Sequence, residues 1–548
     1  MKRQEYIFSI IGIVIYISSV SYYSPRIIDD TILQTARAVS YLRGHGFTQG
    51  YITTTNLAEV MYIPDKTFAP GVEYLLAILM SVFSMSLSLW FATLFAFLLI
   101  ILGCYYIVQK YISQFSFNAI WIFWAFFLSA PILFQYCGLS DLLALGLFLL
   151  AVGFVFQVVE REYFSYRSYL LAFSIGALSY LTCFFRYAYY LFFWIPLFLL
   201  LISTIYNRRL WKFSMVALLT TIVLVSIQSI LQSGSGGDYL SNRHPDGILF
   251  KSLHWKDLGK MTNFIADSSF SVEFINSFLY KILKYPAANT LSFLFQFAIC
   301  ILTIVLLLKW INVIKHKVTD EDNRKSGSII RRGIFYLECQ DGLMEMFIII
   351  TICVNLCSLI IFTVILGPST TLAGWTYVAE KRYYAPLAVS LWLIFTKIYN
   401  TSVKRIYIRL LTILVLFSIV VGTGQYFFKI KKKYANPDII DLYTMSQFLY
   451  EEQQGENIFV TPHYGYRLAD HAAMGGAYLC LPELIDRSNI ISHNTVNIYI
   501  PLPDEDIGKL EREQLKKLIK RFRAQPWIKV RTFGVTTIYK VTYNSINQ

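Results

Sequence analysis

The chain has 548 residues, 56% of them apolar and 15% charged, with a mean hydropathy of +0.52. Those proportions exclude a soluble globule and describe a polytopic membrane protein. A formal charge of +14 would suggest nucleic acid in a soluble protein; here much of it lies in loops beside apolar runs, where positive-inside bias accounts for it, so no nucleic-acid partner is implied.

The chain opens with MKRQE and an apolar run over 6–23, read as a retained anchor because no small-residue cleavage site follows. Next comes SPRIIDDTILQTARAVSYLRGHGF, an amphipathic segment that holds Asp29 and Asp30 at a membrane surface. Charge is costly beside hydrocarbon, so paired carboxylates there are a candidate site. Pro70 to Phe83 is apolar but short for a crossing, and reads as a helix lying in the outer interface. Further spans are expected over 88–108, 118–136, 141–159, 168–185, 188–206, 212–231, 289–309, 344–366, 383–399 and 409–428, about eleven with the anchor. With Lys2 and Arg3 inside, the basic connections QKYISQF, EREYFSYR, NRRLWK, KHKVTDEDNRKSGSIIRRG and KIYNTSVKRIYIR become cytoplasmic and the C-terminus lies outside. Lys429, Lys431, Lys432 and Lys433 run against that rule on the outer side.

Two stretches break the apolar pattern. The polar connection over 233–288 carries His244-Pro245-Asp246-Gly247 and reads either as a solvated connector or as the cover of a site. From 429 the chain becomes polar. NIFVTP reads as a strand, LEREQLKKLIKRF as an amphipathic helix, and WIKVRTFGVTTIYKV as two strands turning at Gly534. The expected organisation is an all-α membrane domain over 1–428, with outer loops 24–87 and 233–288, followed by a small extracytoplasmic α/β domain over 429–548. The eight cysteines include no CxxC pair, so neither a disulfide framework nor a zinc cluster is indicated, and His463 and His471 lack ligand spacing.

Isolated ionisable groups at the ends of spans supply the remaining candidates. Asp141 opens a span, as an N-cap or as part of a site. Arg186 interrupts SYLTCFFRYAYYLFFWIP, either snorkelling or holding an anion. Lys381 and Arg382 precede Tyr383 and Tyr384 at the head of a late span, as an interfacial anchor or as a phosphate site at headgroup depth. The topology puts Asp29, Asp30, Asp141, Arg186, the His244 loop, Lys381 and Arg382 at one membrane surface.

The order of these features resembles the GT-C fold of polyprenyl-phosphate-sugar-dependent glycosyltransferases, the superfamily of protein O-mannosyltransferases and lipid A aminoarabinose transferases. The resemblance is carried by Asp29-Asp30-Thr31 through Ala36-Arg37 to Gly44-His45-Gly46, by Phe68-Ala69-Pro70-Gly71, by Ser140-Asp141, by Phe185-Arg186-Tyr187-Ala188 with Pro196, and by Arg382-Tyr383-Tyr384-Ala385-Pro386. Where members commonly read Asp-Glu, this chain reads Asp29-Asp30. The resemblance implies transfer of a hexosyl or pentosyl group from a polyprenyl-phosphate donor to a hydroxyl of a glycan, lipid or protein acceptor, on the extracytoplasmic face of the plasma membrane and with inversion. Asp29 is then the expected base, with Asp30 or Asp141 orienting it or the acceptor. Arg186, Lys381 and Arg382 would bind the donor phosphate, and Tyr383 and His244 would belong to the substrate loops. The scheme requires no cofactor, with a divalent metal as the one addition left open. The competing reading is a transporter or flippase for a lipid-linked or anionic solute, against which stand the odd span count and an acidic pair outside the mid-membrane.

Overall fold

Two compact units make up the chain in the computed structural model: one over 1–22 and 94–429, the other over 23–93 and 430–548. The structure describes residues 29–52, 60–64, 69–112, 122–127, 137–159, 165–233, 279, 282–283, 287–322, 340–366, 381–401, 405–425, 437–452, 457–462, 471–480, 496–503, 528–534 and 536–543. The expected anchor over 6–23, most of the span over 118–136 and the helix over 510–522 lie outside them.

The first unit is helical. Its elements are α3 (Met85–Ile112), which begins in the second unit's range, α4 (Leu139–Val159), α5 (Tyr166–Phe185), α6 (Trp194–Tyr206), α7 (Trp211–Ser233), α8 (Ala287–Asp322), α9 (Gln340–Leu366), α10 (Ala385–Thr401) and α11 (Arg405–Gln425). Short 3₁₀ turns at Tyr187–Tyr189, Arg208–Leu210 and Lys381–Tyr384 lead into α6, α7 and α10. Among the described residues six helices are long and apolar enough to cross a membrane: Met85–Val108, Leu139–Val159, Tyr166–Phe185, Tyr187–Ile205, Arg208–Ile230 and Phe297–Lys315. Apolar side chains alone give helices in lipid no reason to choose each other, so close backbone approach decides the pairing. α4, buried on nearly every face, meets α3 through Gly146, where a Cβ would fall against the Leu99 side chain and the Ile100 backbone. α5 meets α7 through Gly176 in the same way, and the Thr221 hydroxyl donates to the Gly176 carbonyl at 3.1 Å.

The second unit combines α1 (Asp29–Leu42), α2 (Gly71–Met80) and α12 (Pro437–Glu452) with a seven-stranded mixed sheet in the order β2-β1-β4-β3-β5-β7-β6. The strands are β1 (Thr48–Ile52), β2 (Val60–Pro64), β3 (Asn457–Pro462), β4 (Tyr478–Cys480), β5 (Val496–Pro503), β6 (Ile528–Phe533) and β7 (Thr536–Tyr543). β3 and the β6–β7 hairpin, turning at Gly534 with φ +53°, fall where the alternation of the tail puts them. The expected boundary at 428/429 needs correcting: β1 pairs with β4 in parallel, Tyr51 opposite Leu479, so a segment of the first half completes the sheet of the tail. Strand edges left unpaired are a liability, and the β1–β2 hairpin covers the edge of β4. Met445, Leu449, Ala472, Ala477, Tyr499, Phe533 and Ile538 form the core under α12.

α2 has ten residues, about 15 Å of helix and too short to cross a bilayer. It buries Val72, Leu76 and Ala77 and exposes Tyr74, Ile78 and, just beyond its end, Val82, the two-sided pattern of an interfacial helix. Glu73 faces inward and pairs with Arg37 of α1 at 3.2 Å, both side chains almost wholly buried. Arg37→Met alone should remove the buried ion pair of the Glu73 carboxylate and cost about 3–5 kcal/mol. The double variant Arg37→Met with Glu73→Leu should regain most of it, as thermal unfolding in detergent would register; equal losses in both would assign the pair no electrostatic role.

Candidate functional site

Asp141 lies in the first turn of α4, three residues beyond Gly138, and is fully buried. The expectation of an N-cap needs correcting: its Oδ2 reaches back to accept the Gly138 N–H at 3.0 Å. This is the third-position half of a capping box, and it also sets a negative charge at the positive end of the helix.

Around this carboxylate the structure gathers groups that are distant in sequence. α5 ends at Arg186, whose extended backbone (φ −151°, ψ 111°) breaks the helix. The Arg186 side chain turns inward, with Nε 2.9 Å from Asp141 Oδ1 and Nη1 donating to Ser140 Oγ at 3.4 Å. At 7% exposure it does not snorkel. Arg382 comes from the turn before α10 and brings Nη1 to 3.6 Å from Asp141 Oδ2. Both guanidiniums also lie over the Tyr383 ring, at 5.9 Å for Arg186 and 5.5 Å for Arg382, within cation–π range. Asn355 of α9 donates to the Tyr383 carbonyl at 2.8 Å and fixes that turn.

Two guanidiniums against one carboxylate leave this trio with one formal positive charge in a dry setting, where an anion is attracted far more strongly than in water. Asp141 is thus committed to the arginines and is poorly placed to act as a free base. Nearby in sequence is an apolar cavity of about 460 Å³, lined by Leu191, Trp194, Phe198, Met215, Ile350 and Val354 among others, between α6, α7 and α9. Leu191 is two residues beyond Tyr189, and Val354 adjoins Asn355.

The remaining sequence candidates belong to the other unit or lie outside the described residues. Asp29 and Asp30 begin α1 in the other unit, Asp30 half-buried and the Asp29 side chain outside the described residues. The Lys381 side chain and all of His244 also lie outside them. The far end of α1 is fixed by Arg43, whose Nη1 donates to the Gly476 carbonyl at 3.0 Å; Gly476 has φ +89° and no side chain to block the guanidinium. Beside it, His45 stacks on Tyr62 at 3.7 Å. Burial, then the neighbouring Arg43 charge, pushes the His45 imidazole below its usual range, so it is neutral at pH 7. Among the described residues no cluster of three or more His, Cys, Asp or Glu offers a metal site.

Sequence reading missed three features here. Glu345 of α9 and Lys397 of α10 form a buried ion pair; each is a lone charge in or beside an apolar run, a signal that was present. Asn355 and Tyr189 sit in apolar and aromatic runs that carry none.

No family model matches the chain, and no curated protein does either. Among solved structures it is similar to ArnT from Cupriavidus metallidurans bound to undecaprenyl phosphate, at 11% identity and a TM-score of 0.45 over 97% of both chains. It is also similar to the oligosaccharyltransferase AglB from Archaeoglobus fulgidus in complex with an inhibitory peptide and a dolichol-phosphate, at 10% identity and a TM-score of 0.35, over 90% of this chain and 69% of that one.

Proposed function

We propose that the chain is an integral membrane glycosyltransferase that moves a sugar from a polyprenyl-phosphate donor to an acceptor hydroxyl on the extracytoplasmic face, with inversion. The observation that carries this reading is the buried Asp141–Arg186–Arg382 cluster: two buried guanidiniums held on one carboxylate at the heads of apolar helices suit a lipid whose charge is a phosphate. An apolar cavity in the same unit suits its hydrocarbon chain. As the sugar–oxygen bond breaks, negative charge grows on the departing phosphate, and fixed guanidiniums stabilise it without reorganising. Asp29 takes the proton of the attacking hydroxyl, Asp30 orients it, and the sugar carbon inverts because attack and departure occur on opposite faces. In this account Asp141 positions the two arginines, and Lys381 adds charge at the same turn.

The test is incubation of the purified full chain with a panel of radiolabelled polyprenyl-phosphate sugars and membrane-derived acceptors. Turnover of at least one donor is expected. A panel left intact, with a lipid-linked substrate instead moved across a vesicle membrane, would favour the flippase reading.

A further inference from the structure

The 3₁₀ turn after α5 places one more polar group at the cluster. The Tyr189 N–H donates to the Arg186 carbonyl at 3.0 Å, which folds the chain back on itself directly after the arginine. The Tyr189 ring rests against Phe192, with centroids 5.3 Å apart, and the side chain is 1% exposed. Its hydroxyl lies within electrostatic reach of Asp141 and Arg186, yet it has no hydrogen-bond partner among the described residues. Burying a hydroxyl without a partner is unfavourable. Phenylalanine, abundant throughout these helices, would fill the same space without that cost, so packing alone does not explain a tyrosine here. A ligand oxygen does. Leu191, two residues further on, lines the apolar cavity, so the hydroxyl stands in sequence between the arginine and the cavity wall.

We propose that Tyr189 is a ligand-binding residue, its hydroxyl donating a hydrogen bond to a phosphate oxygen of a lipid monophosphate whose charge faces Arg186 and Arg382 and whose chain enters the cavity between α6, α7 and α9. This rests on the function proposed above and adds a neutral donor to its two cations. No covalent step passes through Tyr189; it binds the phosphate before and after the sugar leaves.

The experiment compares the wild-type full chain with Tyr189→Phe in detergent, measuring ligand-free thermal unfolding and the affinity for a long-chain polyprenyl monophosphate, with the matching polyprenol and a phosphatidic acid as separate arms. The expected result is a Tyr189→Phe protein at least as stable as wild type that binds the polyprenyl phosphate about tenfold more weakly and the polyprenol as wild type does. Equal affinity for the phosphate in both proteins would overturn the proposal. So would a lowered melting temperature without ligand, since the hydroxyl would then serve the fold, or a Tyr189 dependence confined to phosphatidic acid. Failure of wild type itself to bind the polyprenyl phosphate would instead remove the function on which the proposal rests.

Discussion

Asp141→Asn should destabilise the membrane unit by about 3–5 kcal/mol, the usual cost of removing one partner from a buried ion pair, and reduce donor turnover at least about a hundredfold. The carboxylate is fully buried between Arg186 at 2.9 Å and Arg382 at 3.6 Å. Asparagine has nearly the same shape, and its side-chain oxygen can still accept the Gly138 N–H, so the start of α4 survives and the change isolates charge. Two guanidiniums then share a buried site without the Asp141 charge between them and must move apart or draw in water, and either response disrupts the anion site. Thermal unfolding in detergent and donor turnover read the two effects separately. Wild-type values for both would mean that the arginines hold their places without Asp141.

Asp29→Asn should lower the rate of sugar transfer by about 10² to 10⁴-fold, the range general-base help supplies, while leaving the melting temperature within a degree or so of wild type. The expectation of intact folding follows from where α1 is held. Its middle and far end are fixed by the Arg37–Glu73 pair and by Arg43 on the Gly476 carbonyl, so its first residue carries little of the fold. The loss should appear in kcat, with donor affinity preserved, because the base touches the acceptor proton and not the donor phosphate. Full activity of a purified Asp29→Asn protein would remove it as the base. A fall in donor affinity with unchanged kcat would reassign it to binding.

Much of the fold was legible because hydrophobic length and alternation are local properties. Among the described residues, the six helices long and apolar enough to cross a membrane, the short α2, the strand at Asn457–Pro462 and the turn at Gly534 all follow from runs of a few to some twenty residues. The β1–β2 hairpin was not legible as part of the tail's sheet: VMYIP pairs with TQGYI, TQGYI pairs in turn with a strand far along the chain, and strand partners at that separation are chosen by tertiary packing. In the candidate site, Asp141, Arg186 and Arg382 stood out because each is a lone charge at the edge of an apolar run. Their mutual pairing was not visible, and it makes Asp141, beside its bond to the Gly138 N–H, the anchor of two cations. Tyr189 was invisible because YAYYLFF reads identically whether a tyrosine faces lipid or a ligand. Glu73 was hidden for a different reason, since a single acid in a short apolar helix looks like its solvated face until Arg37 is seen opposite it.

The most direct measurement is the release of free polyprenyl phosphate, followed by mass spectrometry, when the purified full chain meets a polyprenyl-phosphate sugar and an acceptor. The expected result is one polyprenyl phosphate formed for each sugar transferred, and none from a protein in which Arg186 and Arg382 are both glutamine. Sugar transfer that persists at the wild-type rate in that double variant would contradict it.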